Sequence, residues 1–222
     1  MKKQTGFTLI ELAIVLVIIG LLLGGVLRGQ ALIDSAKVKN MASDFRNVQV
    51  YIYGYQDKYK AIPGDDIRAA GNVGVTATTE EGNGNGKIDG IWNESVTTNE
   101  TLKFWLHVRK AGLATGSTTL AATSAFWPMN ADNGRIGIQS GQTPSITGLT
   151  GVYVVCSDQI LGKYAKQIDS NLDNGDTDSG AIMVVDNGTA GTSKVAGTGT
   201  GVTPTELKDI VDTHFTTVCM SL

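Results

Sequence analysis

Met1-Lys2-Lys3-Gln4-Thr5-Gly6-Phe7-Thr8-Leu9-Ile10-Glu11 opens the chain, and the sixteen residues from Leu12 to Leu27 carry no charge. A short basic head therefore meets a glycine, and the 21-residue stretch from Phe7 to Leu27 holds a single charge, at Glu11. An ionised carboxylate in a bilayer costs on the order of several kcal/mol and is rarely left unpaired. A stretch that carries one near its start calls for a partner. A cut between Gly6 and Phe7 would supply it, because the new α-amine would lie one helical turn from Glu11 and be wholly or partly positive at neutral pH.

Lys2, Lys3, Gly6, Phe7, Thr8, Leu9, Ile10 and Glu11, with the apolar helix after them, make the chain resemble the type IV pilin and pseudopilin family. The resemblance implies cleavage by a prepilin peptidase between Gly6 and Phe7, N-methylation of Phe7, and a docking role for Glu11 in a filament of identical copies. It further implies an inner-membrane assembly platform as partner. The precursor would cross the inner membrane once, and the assembled protein would be an extracellular filament or a periplasmic pseudopilus. Two plainer readings compete. A secretory signal peptide wants a small-residue cleavage site after its apolar core, and here the core runs on into Arg28-Gly29-Gln30. A simple anchor fits the length but gives no reason for Glu11.

The helix does not stop at the membrane edge. Val38, Met41, Phe45, Val48, Ile52, Tyr55 and Tyr59 recur in steps of three and four, one stripe of a continuing amphipathic helix. Pro63-Gly64 should end it, which predicts a rod of roughly 80 Å. The expected organisation is a leader over 1–6, a helix over 7–62 (7–29 in the membrane or filament core, 30–62 amphipathic) and a globular head over 63–222. Gly20 and Gly24, and Gly25 and Gly29, are spaced either for close helix approach or for local softening. The head reads as α+β, a small antiparallel sheet laid on the long hydrophobic helix. Strands are expected near 135–139, 151–156 and 181–186, with short helices after a Thr97/Glu100 capping box, over 159–167, and after Thr203-Pro204. Gly112 closes the first of these, and 187–203 reads as a loop.

The chain has 18 basic and 21 acidic residues, which excludes nucleic-acid binding by bulk electrostatics. Its two cysteines, Cys156 and Cys219, suit one disulfide in an exported protein; two unrelated buried thiols are the alternative. The best chemical candidate is Glu81-Gly-Asn83-Gly-Asn85-Gly-Lys87-Ile-Asp89, whose alternating oxygens and sixth-position glycine match the first nine positions of a calcium loop. Glu81, Asn83, Asn85, Lys87 (through its carbonyl) and Asp89 would be the ligands. Trp92 stands where a bidentate acid belongs, so Asp65, Asp66 or Glu94 would have to complete the Ca2+ shell. A glycine–asparagine turn without an ion explains the pattern equally well. The acidic run from Asp169 to Asp178 has its glycine out of register and reads as a solvated turn. Tyr51, Tyr55 and Tyr59 share a face that packing explains more simply than conduction. His107 and His214 have no nucleophile or metal partner at recognisable spacing and read as ordinary surface or helix residues, so nothing points to an enzyme.

Function readings from different classes follow. One is a structural subunit of a type IV pilus-like filament, with a type II secretion pseudopilin as its near relative. The other is a membrane-anchored calcium-binding or adhesive module that never polymerises.

Overall fold

Leu, Ile, Val and Ala without proline carry one helix, α1, through 51 residues, Leu9–Tyr59, in a computed structural model that describes residues 8–141, 145–195 and 201–222. The helix ends where Lys60 turns to φ +54°, three residues ahead of Pro63. A boundary between two compact units falls within it, between Lys37 and Val38. Below the boundary the large apolar side chains from Leu9 to Ile33 are exposed. Above it the predicted stripe is the buried face: Val38, Met41, Phe45, Val48, Ile52 and Tyr55 are each 2 % exposed or less.

The unit from Val38 onward adds α2 (Ala69–Val73), α3 (Glu100–Lys110) and α4 (Gly162–Leu172) to four strands: β1 (Ile136–Ser140), β2 (Tyr153–Leu161), β3 (Ile182–Gly188) and β4 (Phe215–Ser221). The strands pair antiparallel throughout, in the order β1-β2-β4-β3. Period-two alternation divides their side chains between two faces. Ile138, Val155, Ile160, Ile182, Val184, Val218 and Met220 join the core that holds the α1 stripe and α3. Val154, Cys156, Met183, Val185 and Cys219 face a second core, closed by Trp92, Ile146, Leu149 and Val195 from loops.

Both outer strands are covered. On β1, Ser140 N–H donates to the Ile88 carbonyl (3.3 Å) and Ile136 N–H to that of Pro128 (2.9 Å). On β3, Val184 bonds Thr177 (2.9 Å) and Thr205 (2.8 Å). Strand addition at a bare edge is thereby blunted as a way of joining copies.

Four expectations are corrected. Residues after Pro204 form a single 3-10 turn, Leu207–Asp209, and the following Phe215-Thr216-Thr217-Val218, rich in strand formers, become the central strand β4. Residues 159–161 belong to β2, which bulges between Ser157 and Ile160 with Gln159 at φ +56°. The Thr97/Glu100 box does not form: Asn99 precedes the first helical residue, and the Glu100 carboxylate bonds other amides described below. The acidic run is not wholly solvated, because Asp169 is fully buried and desolvation pushes its carboxyl up to about 6. Gly112 does take the left-handed conformation after α3 (φ +76°).

Candidate functional site

Glu11 sits in the first turn of α1. Its Oε2 accepts from the Thr8 N–H (2.7 Å) and the Thr8 hydroxyl (2.7 Å), while Thr8 Oγ1 accepts from the Glu11 N–H at 3.3 Å. This is a reciprocal capping box, Thr-x-x-Glu, satisfying two amides that a helix start leaves open. The spacing is visible in the sequence as Thr8-Leu9-Ile10-Glu11, which gives Thr8, a residue of the N-terminal motif, a capping role. Gly6 and Phe7 lie outside the described residues. The helix holds an 18-residue window of mean hydropathy 2.8, none of it buried within the chain. That surface needs lipid or other helices around it.

The 81–89 loop is held from behind by two buried acids. Asp65 accepts from the amides of Gly84 (2.6 Å), Asn85 (3.0 Å) and Gly86 (2.8 Å). Glu100 accepts from those of Asn83 (2.8 Å) and Asp89 (2.9 Å), and burial raises its pKa above the usual carboxylate value. α3 adds Lys103, whose ammonium donates to the Glu81 carbonyl (2.8 Å), and His107. The loop passes so close to Asp65 that a Cβ on Gly82 would lie 2.1 Å from the Asp65 carbonyl carbon, so only glycine fits.

Asn83 and Asn85 both direct their amide NH2 groups at Asp89 Oδ2 (2.8 and 2.7 Å), and their oxygens accept from the amides of Asn85 and Lys87. Glu81 bonds the Ala70 N–H. Asp66 takes the Tyr55 hydroxyl, Asn72 and the Arg68 amide, and Glu94 bonds Ile91 and Asn99, so neither joins the loop. Trp92 is fully buried, its indole N–H on the Val195 carbonyl (3.0 Å). Calcium takes six to eight oxygens. Here Asn83 Oδ1, Asn85 Oδ1 and Asp89 Oδ2 each accept from an N–H within the loop. As arranged, both asparagines turn an NH2 rather than an oxygen toward Asp89. A thermal melt of the full chain in detergent is expected to coincide with and without chelator. A fall of more than about 2 °C on chelation would show that both asparagines turn their oxygens inward around calcium.

Residues 1–27 match the family model described as the prokaryotic N-terminal methylation motif. The chain carries a prepilin-type N-terminus. No curated protein and no solved structure matches it. The long apolar helix of this prepilin-type chain fits a type IV pilin or pseudopilin, and α1 with the four-stranded antiparallel sheet is a pilin-like α+β architecture. The motif implies processing by prepilin peptidase and assembly into a filament, and with the apolar helix it fits membrane anchoring before assembly.

Other candidate residues have structural roles. Cys156 and Cys219 are bonded to each other, directly opposite on β2 and β4. His107 is fully buried rather than on the surface. Its Nδ1 accepts the Gly64 N–H (2.9 Å), which leaves Nε2 to donate to the Glu80 carbonyl (2.8 Å), and burial lowers its pKa. Its neutral tautomer ties α3 to the turn after α1. His214 pairs with Asp186 at 3.0 Å on the rim of the sheet. Tyr55 is buried against the head, with Tyr59 beside it at 4.6 Å between ring centroids.

Proposed function

We propose that this protein is a structural subunit of a type IV pilus-like extracellular filament, stored in the inner membrane and assembled through its N-terminal helix. The methylation motif running into a helix whose large apolar side chains are exposed from Leu9 to Ile33 carries the reading. Leaving lipid without a large penalty requires that surface to be buried again, and a bundle of identical helices does so. Covered sheet edges leave the helix as the main joining element. Glu11 supplies the polar contact in that bundle by exchanging its local Thr8 bonds for the Phe7 amine of an adjacent copy. The mature N-terminus tests the reading. Mass spectrometry of protein recovered from sheared surface filaments should find the chain beginning at N-methylated Phe7. A chain that still begins at Met1, with no filaments, would support a plain anchor instead.

A further inference from the structure

A cavity of about 190 Å3 lies between α1, α3 and the 114–136 segment, wholly within the unit that begins at Val38. Asp44, Asn47 and Tyr51, three and four residues apart on one face of α1, line it. Among the described residues none hydrogen-bonds to any of these three side chains. Val48, Trp105, Met129 and Ile136 add apolar groups to the wall.

Arg109 also lines the cavity, but its guanidinium is engaged elsewhere. Nε donates to the Thr115 carbonyl (3.1 Å), and Nη1 to those of Ser117 (3.3 Å) and Phe126 (2.6 Å), with the Phe126 ring 4.8 Å away. Asp44 is thus a half-buried carboxylate with no counter-charge at bonding distance. Desolvation alone pushes it up to about 6. Its charge and the Tyr51 phenol are in electrostatic contact, which with burial raises the phenol, while Arg109 pulls it down.

The wall selects among ligands. An anion would meet Asp44 without gaining Arg109, whose guanidinium is held by the carbonyls of Thr115, Ser117 and Phe126. A neutral apolar molecule would strip the carboxylate of water and return nothing. A divalent metal wants six or more oxygens, which one acid, one amide and one phenol do not provide. We propose that this cavity binds an organic monocation, a protonated amine or guanidinium on an apolar chain, with its charge on Asp44. Asn47 and Tyr51 take the remaining N–H donors, and the apolar wall with Trp105 covers the chain. The same chemistry arrives as a free amine or as a lysine or arginine side chain of an adjacent copy.

Butylammonium chloride titrated into the full chain in detergent micelles provides the test, read by NMR of the Trp105 indole and the Asp44 carboxyl. A saturable shift is expected, with a midpoint at least about tenfold weaker in Asp44→Asn and largely kept in Asp44→Glu. Butanol at the same concentrations should produce no saturation. Since Asp44 has no bond to lose, neither variant should melt below the parent, which keeps the comparison valid. No saturable response in the parent chain, or an unchanged midpoint in Asp44→Asn, overturns the proposal. Repeating the titration on assembled filaments separates the sources. An unaltered midpoint marks a free amine. Exclusion of butylammonium, with a carbodiimide-formed amide between Asp44 and a lysine of another copy, marks the neighbouring side chain.

Discussion

Replacing Glu11 by alanine is expected to leave cleavage at Gly6/Phe7 intact and to abolish filaments, as measured by mass of the membrane-bound protein and yield of sheared filaments. The cleavage motif lies before Glu11, whereas the carboxylate is the one charge between Lys3 and Arg28. Two effects of the substitution must be separated. Alanine removes the cap that Glu11 forms with Thr8, worth about 0.5–2 kcal/mol and confined to the first turn. It also removes the partner of the incoming amine, and breaking a buried ion pair by deleting one member costs about 3–5 kcal/mol. At 1.4 kcal/mol per tenfold, that weakens each addition by roughly a hundred- to several-thousand-fold, and it recurs at every subunit. Glu11→Gln distinguishes the two, because glutamine serves the capping box as well as glutamate but carries no charge. Filament loss in both variants is the expected result. Normal yield from Glu11→Gln would reduce Glu11 to a helix cap, and normal yield from Glu11→Ala would remove it from assembly altogether.

The features easiest to read in the sequence were those set by neighbours along the chain. The stripe from Val38 to Tyr55 is buried as its three–four spacing requires, and Gly112 ends α3 in the left-handed conformation. The errors arose where distant segments decide. Thr97 and Glu100 have the spacing of a cap, yet Glu100 is drawn to the amides of Asn83 and Asp89, eleven or more residues away. Asn83, Asn85 and Asp89 have the spacing of a calcium loop, but that spacing does not reveal that Asp65 lies beneath the amides of Gly84, Asn85 and Gly86. Trp92 stood only as a misfit at the twelfth position, while the fold uses it to close the second core. β4 is the clearest case. A helix-start signal at Pro204 drew attention away from Phe215–Ser221, although two adjacent threonines beside Val218 favour a strand. The Thr8/Glu11 cap, by contrast, is local, and its Thr-x-x-Glu spacing is legible in the sequence.

Removing the disulfide should be the most damaging change in the head. Cys156→Ala/Cys219→Ala is expected to destabilise it by about 4 kcal/mol in the chain-entropy model, lowering Tm by about 8–16 °C for a unit of this size. Position makes the effect large. The bond joins residues 63 apart, and it joins β2 to β4, the inner pair of the sheet. β4 is the last strand in the sequence yet lies between β2 and β3, so its pairing closes a long loop before any contact offsets the entropy. The bond also fixes register. Cys156 opposes Cys219, and a slip of one residue would move Val218 and Met220 off the helix-side core and Cys219 onto it. Both sulfurs are fully buried, so reductant should act on the unfolded chain and leave the native melt unchanged until the head opens. Alanine is the better probe than serine, since hydroxyls beside Val154 and Val185 would add an unsatisfied polar cost to the loss of the link. Differential scanning of parent and double variant, each in detergent at equal concentration, measures the shift. A difference under about 3 °C would mean that β4 holds its register through side-chain packing alone.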